Sequence, residues 1–254
     1  MQVRLIMKVR DESHIIRETL DNWSQYCTAA HVYDDCSEDG TAEICRSHPL
    51  VVEVISSNLF DPNRERSEWF NRQAVLASAQ RFLGKDDWLV YADGDEHLFD
   101  FPLGVLERSD VDVVACKSYD AYITPEDATC GWKMRRPWVG PGWEFAPYFY
   151  RNRPWLKFSQ PDQRNLQMTS RERLRIEGNV LHWGKGISVE HWERKCRYYS
   201  DVFGPKYQAK WEGRKGKAVQ IDWKSVYGNP LVRWEDVRAG TVETFPRHNA
   251  PIVK

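Results

Sequence analysis

The spacing of apolar and polar positions changes period several times within the first ninety residues. "QVRLIMKV" (2–9) alternates and is rich in branched and apolar side chains, which predicts a strand. "DESHIIRETLDNWSQY" (11–26) then sets Ile16, Leu20 and Trp23 at helical spacing, with Asp11 or Ser13 as candidate caps. "AHVYDD" (30–35) predicts a short strand, "CSEDGT" (36–41) a turn, "TAEICRSH" (41–48) a short helix and "LVVEVIS" (50–56) a third strand. "RERSEWFNRQAVLASAQRFLG" (64–84) predicts a long amphipathic helix stopped by Gly84, and "DWLVYAD" (87–93) a fourth strand. Strands alternating with helices predict an α/β fold with a mostly parallel sheet built from βαβ units.

Three of these strands run into polar clusters: "RDE" (10–12), "DDCSEDG" (34–40) and "DGDE" (93–96). In open α/β sheets, ligands bind outside the carboxyl ends of the strands. The clusters therefore line the ligand-binding edge rather than the interior of the sheet. Asp and Asn also favour turns and caps, which accounts for one such cluster more easily than for three. Asp93 and Asp95, one residue apart at a strand end, can aim oxygens at one hard cation. Mg²⁺ and Mn²⁺ take oxygen ligands and commonly bridge to substrate phosphates. Neither G-x-x-x-x-G-K-[ST] nor a G-x-G-x-x-G after the first strand occurs, which excludes the P-loop and dinucleotide modes of holding phosphate.

Composition narrows the class. The 254 residues are 41 % hydrophobic and 29 % charged, as in an ordinary globular protein. No uncharged apolar run of 18 residues is present, which predicts no transmembrane helix, and the apolar stretch in "MQVRLIMKVRDESH" is too short and interrupted for a signal peptide. The six cysteines form no C-x-x-C pair, so free thiols and a cytoplasmic location are expected. The net charge of -1 conceals an asymmetry. Residues 1–130 carry 12 Lys+Arg against 25 Asp+Glu, and residues 131–254 carry 24 against 12. Either the halves have different partners or they attract one another.

The segments "MKVRDESHIIRETLDNW", "VYDDCSEDGTAEI" and "WLVYADGDEHL" together resemble the nucleotide-sugar half of family-2-type glycosyltransferases with the GT-A fold. "DDCSEDGT" is similar to that family's "DDxSxDGT" turn and "DGD" to its D-x-D metal motif. "FYRNRPWLKFSQPDQ" and "VLHWGKGISVEHWERKCRYY" resemble later family segments, so the likeness spans roughly residues 1 to 200. It implies a nucleotide-sugar half at 1–110 and an acceptor-side, catalytic half at 111–203. Residues 204–254 form an extension of unclear role. It further implies transfer of a sugar from a nucleoside diphosphate sugar, here a UDP-sugar, to an acceptor hydroxyl with inversion.

The resemblance also distributes roles. Asp95 is the direct ligand of Mn²⁺ or Mg²⁺, Asp93 lies nearer the ribose and metal, and His182 completes the metal site. Asp35 accepts the uracil N3–H, and Asp11, a donor-binding candidate, stands where the family has Asn. From the residues themselves, Arg66 or Arg72 on the long helix can bind donor phosphate and Lys185 can meet a diphosphate oxygen. The catalytic base is Asp162, where the family has an acidic residue, with Glu144 as its rival. On the acceptor side, residues 131–160 interleave Trp132, Trp138, Trp143 and Trp155 with basic residues. Aromatic planes suit the C–H face of a sugar or a nucleobase, so the acceptor is a glycan or a hydroxylated base in DNA. A nucleotide-sugar or glycan binding module without catalysis is the alternative from another class.

Overall fold

The computed structural model describes residues 1–61, 63–130, 136–158, 164–202 and 205–245. The chain divides into two compact units. The first comprises residues 1–116 and 147–178, the second 117–146 and 179–254. This differs from the linear division expected at residues 110 and 203, because the chain leaves the first unit at 116 and returns to it at 147. The return carries Arg151, Arg153, Arg164 and Arg173 with it. The first unit thereby holds 18 Lys+Arg against 25 Asp+Glu and the second 18 against 12, half the asymmetry seen along the chain.

The first unit is α/β. Its strands are β1 (Val3–Val9), β2 (Ala29–Asp34), β3 (Val51–Ser56), β4 (Trp88–Tyr91) and β5 (Glu96–Phe99), joined by parts of β6 (Val113–Ala121), β7 (Trp138–Arg151) and β8 (Leu174–His182). The strand order is β3-β2-β1-β4-β7-β6-β8-β5. β1 pairs in parallel with both β2 and β4, and β2 with β3. β7 closes on β4 antiparallel, with Leu89 opposite Tyr150. The expected largely parallel sheet flanked by helices is what the structure shows.

The helices are α1 (Ile16–Trp23), α2 (Thr41–Ser47) and α3 (Arg64–Gln80). α1 is five residues shorter at its start than the periodicity predicts. Residues 11–15 instead form a turn, in which Asp11 takes a left-handed φ of 52° and Ile15 N bonds Glu12 O at 3.0 Å. Neither Asp11 nor Ser13 caps the helix: its N-cap is Ile15, with no side-chain hydrogen bond. α1 buries Ile16, Thr19, Leu20 and Trp23, the i, i+3, i+4, i+7 stripe. Each fully buried Ile or Leu here contributes about 1.5–3 kcal/mol. Trp23 packs near Tyr148 and Phe149 and donates its indole N–H to Glu96 O at 2.8 Å. On the opposite face of the sheet, α3 lays Val75, Leu76 and Ala79 against Ile6, Leu89, Tyr91 and Tyr150. Asn63 caps α3 by accepting from Arg66 N.

The second unit holds α4 (Val189–Val202), α5 (Pro205–Glu212), β9 (Val232–Arg233) and α6 (Trp234–Ala239). β9 pairs antiparallel with β7 through Trp138–Arg233 and Val139–Val232. A cluster of Trp192, Cys196, Trp211 and Ala218 forms its own small core. All six cysteines are free thiols. No helix among the described residues is long and apolar enough to cross a membrane.

One glycine fixes how the sheet edge is built. β1 is flanked by β2 on one side and β4 on the other, so the strand order reverses direction between β1 and β4. In open α/β sheets such reversals are where ligands bind, outside the carboxyl ends. Gly94 lies there, and a Cβ on it would stand 3.1 Å from Val9 Cγ1, 3.4 Å from Glu12 Cγ and 3.6 Å from Ile16 Cδ1. Val9 and Ile16 are core residues with little room to yield. Gly94→Ala is expected to destabilise the protein by about 1–3 kcal/mol through overpacking, read as a lower midpoint in thermal or urea unfolding. An unchanged midpoint would show that the close approach at β1 is not needed.

Candidate functional site

The carboxyl ends of β1, β2 and β4 carry a charge network built on Asp35, which is 1 % exposed. Its Oδ2 accepts from Arg64 at 2.5 Å and pairs with Lys8 Nζ at 3.1 Å, and its Oδ1 accepts from Asn71 at 3.1 Å. Lys8 also reaches Glu68, which receives Arg64 at 3.0 Å and Arg72 at 2.8 Å. Burial opposes ionisation of Asp35, but Lys8 and Arg64 outweigh it and hold the carboxyl below its usual range. The same balance, struck against Lys8 and Arg72, lowers Glu68. Neighbouring Asp34 goes the other way: burial raises it, and its Oδ1 has no hydrogen-bond partner.

From Arg72 the network passes to the D-x-D segment. Arg72 Nε donates to the Tyr91 hydroxyl at 2.9 Å, and that hydroxyl donates to Asp93 Oδ1 at 3.0 Å. Burial keeps the Tyr91 phenol protonated far above its usual range, so it stays a donor. Arg164 stands 3.8 Å from Asp93 Oδ2 and holds both oxygens of Glu96, at 2.5 and 2.8 Å. Glu96 also accepts from Tyr148 at 2.9 Å and from the Asp93 amide at 2.9 Å. The Asp93 side chain is 38 % exposed, whereas Asp95 is only 3 % exposed. Beside Asp95 lies His97, whose pKa burial depresses to about 4 against the pull of Asp95 and Glu18. Thr19 donates to Gly94 O at 2.7 Å, so His97 Nε2, 3.1 Å from Thr19 Oγ1, carries the proton between them.

The sequence-predicted residues fall in different places. Arg72 is tied into the network, and Arg66 is a surface residue bound to Asp61 at 3.0 and 2.8 Å. The helix therefore offers Arg72, not Arg66, at the strand ends. Asp11 accepts from Glu38 N at 2.9 Å, bracing one loop against the next. Its left-handed backbone is one that Asp and Asn tolerate best. In the second unit, His182 ends β8 with Nδ1 2.6 Å from Asp120 Oδ1, and Lys185 Nζ lies 2.5 Å from that oxygen. Glu144 sits on β7 between Trp143 and Phe145, which are 66 % and 46 % exposed. Asp162 and Trp132 lie outside the described residues.

The residues that sequence reasoning missed are the partners: Lys8, Arg64, Glu68, Tyr91, Arg164 and Asp120. The long helix expected to be amphipathic departs from that pattern: α3 carries polar residues, among them Arg64, Ser67 and Asn71, at buried positions.

Among the described residues, no group of three His, Cys, Asp or Glu stands close enough to hold a metal ion. Two carboxylates at a strand end still fit Mg²⁺ or Mn²⁺, because such ions are commonly bound through one or two carboxylates plus substrate phosphate. The expected set of Asp93, Asp95 and His182 does not form such a three-residue group among the described residues.

No protein-family model matches the chain, and none of the curated proteins matches it. Solved structures give weak likenesses. A mannosyl-3-phosphoglycerate synthase from Rubrobacter xylanophilus is 25 % identical over 52 % of this chain, with a TM-score of 0.32. The match spans 43 % of that enzyme, less than half its length. The galactosyltransferase LgtC, solved with donor and acceptor sugar analogues, is 12 % identical over 87 % of this chain and 98 % of its own, with a TM-score of 0.36. Both TM-scores are low, and neither likeness decides what this chain does.

The Asp35 cluster has a measurable signature. Arg64 and Asp35 side chains are 1 % and 2 % exposed, so Arg64→Ala leaves a desolvated carboxylate with Lys8 as its remaining cation. The expected loss is at most about 3–5 kcal/mol at neutral pH. The folded pKa values of Asp35 and Glu68 are lowered, so their contribution is complete above about pH 4, the unfolded range, and is lost as pH falls through the folded values. The difference between wild type and Arg64→Ala should therefore shrink on acidification, as urea unfolding at pH 7 and pH 3 would show. A difference that is the same at both pH values would refute the ion-pair account.

Proposed function

We propose that the chain transfers a sugar from a nucleoside diphosphate sugar, with uridine the preferred base, to an acceptor hydroxyl on a glycan, with inversion. The observation that carries this reading is the placement of Asp93-Gly94-Asp95. The segment follows β4 at the point between β1 and β4 where the strand order reverses, and a Cβ on Gly94 would stand 3.1 Å from Val9 Cγ1 and 3.4 Å from Glu12 Cγ. A pair of carboxylates at that point, without a phosphate-binding glycine loop, suits a diphosphate held through a cation.

The chain's own residues do the rest. Arg72 and Tyr91 orient Asp93 through two successive hydrogen bonds. Asp93 and Asp95 would hold Mn²⁺ or Mg²⁺, whose charge, when bound, neutralises the leaving diphosphate. Asp35 would select a uracil imide only if the N3–H displaced Asn71 from one oxygen or the Lys8–Arg64 pair from the other, because both oxygens are already engaged and the side chain is buried. A carboxylate, Asp162 or Glu144, takes the proton from the acceptor hydroxyl. The freed oxygen forms its bond to the anomeric carbon as the carbon–oxygen bond to diphosphate breaks, and that electron pair leaves with the diphosphate. The exposed Trp143 and Phe145 on β7 supply flat apolar faces of the kind a sugar ring stacks on.

Calorimetry with Mn²⁺ present should rank uridine diphosphate above adenosine and guanosine diphosphates, and Asp93→Asn should weaken that binding at least about tenfold, or about 1.4 kcal/mol. A purine diphosphate ranking first would overturn the base preference, and no diphosphate binding would overturn the donor site. Release of uridine diphosphate from UDP-sugars in the presence of oligosaccharide arrays separates an enzyme from a binding module without catalysis. Transfer to a neutral oligosaccharide should change little between roughly 50 and 200 mM salt, whereas a steep loss would point to a polyanionic acceptor.

A further inference from the structure

His31 is fully buried on β2, opposite Glu53 of β3 and in contact with α3. Arg4 of β1 places Nη1 2.9 Å from its Nε2. On the other side of the ring, Nδ1 lies 2.7 Å from Ser78 Oγ and 3.3 Å from Glu53 Oε2. The Ser78 hydroxyl donates to Glu53 Oε2, and Arg81 donates to both Glu53 oxygens at 3.2 and 3.1 Å. The exposed Phe82 ring borders the group, 5.6 Å from the imidazole and 4.6 Å from the Arg4 guanidinium. All of these residues belong to the first unit.

A guanidinium donates hydrogen bonds and accepts none. His31 Nε2 therefore meets Arg4 as a lone pair, and the proton of the neutral ring is on Nδ1. Ser78 gives its own proton to Glu53, so its oxygen accepts from Nδ1. The bonds run in one direction, from Arg4 to His31 to Ser78 to Glu53, and tie three strands to the last turn of α3. Ser78 is not an activated nucleophile in this arrangement, because the nitrogen that faces it already carries a proton. A second ring proton would go on Nε2. It would face the Arg4 donor at 2.9 Å, cation against cation, on a side chain with no exposure to solvent. Glu53 pulls the other way, but Ser78 and Arg81 already share its oxygens.

We propose that His31 is an acid-sensitive latch: as a neutral Nδ1–H imidazole it fastens the C-terminal turn of α3 to β1, β2 and β3, and its protonation releases that turn. Burial and Arg4 hold the folded imidazole below the usual histidine range. The contribution of the latch is therefore complete above about pH 6.5, the unfolded value, and is lost as pH falls toward the folded value. Glu53, held below its usual range chiefly by Ser78, stays ionised through this window. The Asp35 cluster at the other end of α3 keeps its charges until about pH 4 or below. Mild acid thus loosens the end of the helix while its start, which carries Arg64, Asn71 and Arg72 to the strand ends, stays fastened.

The test uses the full ¹⁵N-labelled chain between pH 8 and pH 4.5. Long-range ¹H–¹⁵N correlation spectra distinguish a protonated ring nitrogen from a bare one. The His31 signals among the seven histidines are identified by their loss in His31→Gln. The expected wild-type pattern is a protonated Nδ1 and a bare Nε2, still unchanged at pH 6, where an ordinary histidine is mostly protonated. Arg4→Met removes the opposing cation and should move the titration of His31 upward. Hydrogen exchange of the amides of residues 78–82, corrected for the intrinsic rate, reads the latch itself. Their opening constant should rise by up to about tenfold per pH unit below pH 6.5 in wild type. The rise should be largely absent in His31→Gln, which can still accept from Arg4 but takes up no proton. A protonated Nε2 at pH 8 would overturn the proposal, as would a His31 that titrates at or above the ordinary value. Equal pH dependence of exchange in wild type and His31→Gln would overturn it too. The wild-type spectra decide the first two points whether or not a variant folds. No readout uses a donor, an acceptor or a metal, so the outcome is independent of glycosyl transfer.

Discussion

A single buried carboxylate organises the sheet edge of the first unit. Asp35 follows the last residue of β2 and has almost no contact with water, so its charge must be met by protein. Lys8 on β1 and Arg64 and Asn71 on α3 meet it. Those contacts fix the start of α3 over the strand ends, although that part of the helix has little apolar surface to hold it. Two turns further on, the same helix delivers Arg72 to Tyr91 and, through it, to Asp93. The orientation of the D-x-D carboxylate thus depends on an ion-pair cluster on another strand.

Desolvation explains why the network is dense. A buried charge left unpaired costs several kcal/mol, so each carboxylate brought to the edge requires a cation or donor of its own. Glu96 shows the rule most plainly: Arg164 grips both oxygens, Tyr148 adds a donor, and the Asp93 amide adds another. Asp34 departs from it, keeping one oxygen without a hydrogen bond and a raised pKa. Adjacent aspartates of the same motif therefore stand in opposite electrostatic situations, one ionised by its neighbours and one resisting ionisation. The second unit repeats the principle at Asp120, where burial alone would favour the neutral acid but Lys185 and His182 keep it charged.

Gly94 and Gly186 constrain the two candidate centres in a similar way. A Cβ on Gly186 would meet the Ala121 Cβ at 2.8 Å, and one on Gly94 would crowd Val9 Cγ1 at 3.1 Å. Such contacts set the position of the loop by steric limit rather than by attraction, which suits groups that must be held in place without being buried completely.

The sequence by itself determined the β1–α1–β2–α2–β3–α3–β4 succession and its parallel pairing, because hydrophobic period and turn residues are local properties. It also drew attention to the carboxylates at 34–35 and 93–96, because they sit where apolar runs end. It did not determine that α1 starts at Ile16, since the left-handed turn at Asp11 is held by Ser37 and Glu38 from the next loop. That Arg72 meets Tyr91 while Arg66 pairs with Asp61 was equally out of reach, because it depends on which side of α3 faces Tyr91. Glu96, Arg164 and Asp120 became legible only in three dimensions. Arg164 lies 68 residues from Glu96, and Asp120 lies 62 and 65 residues from His182 and Lys185. Charge pairing across such separations leaves no periodic trace in the chain, so only the tertiary structure could decide it.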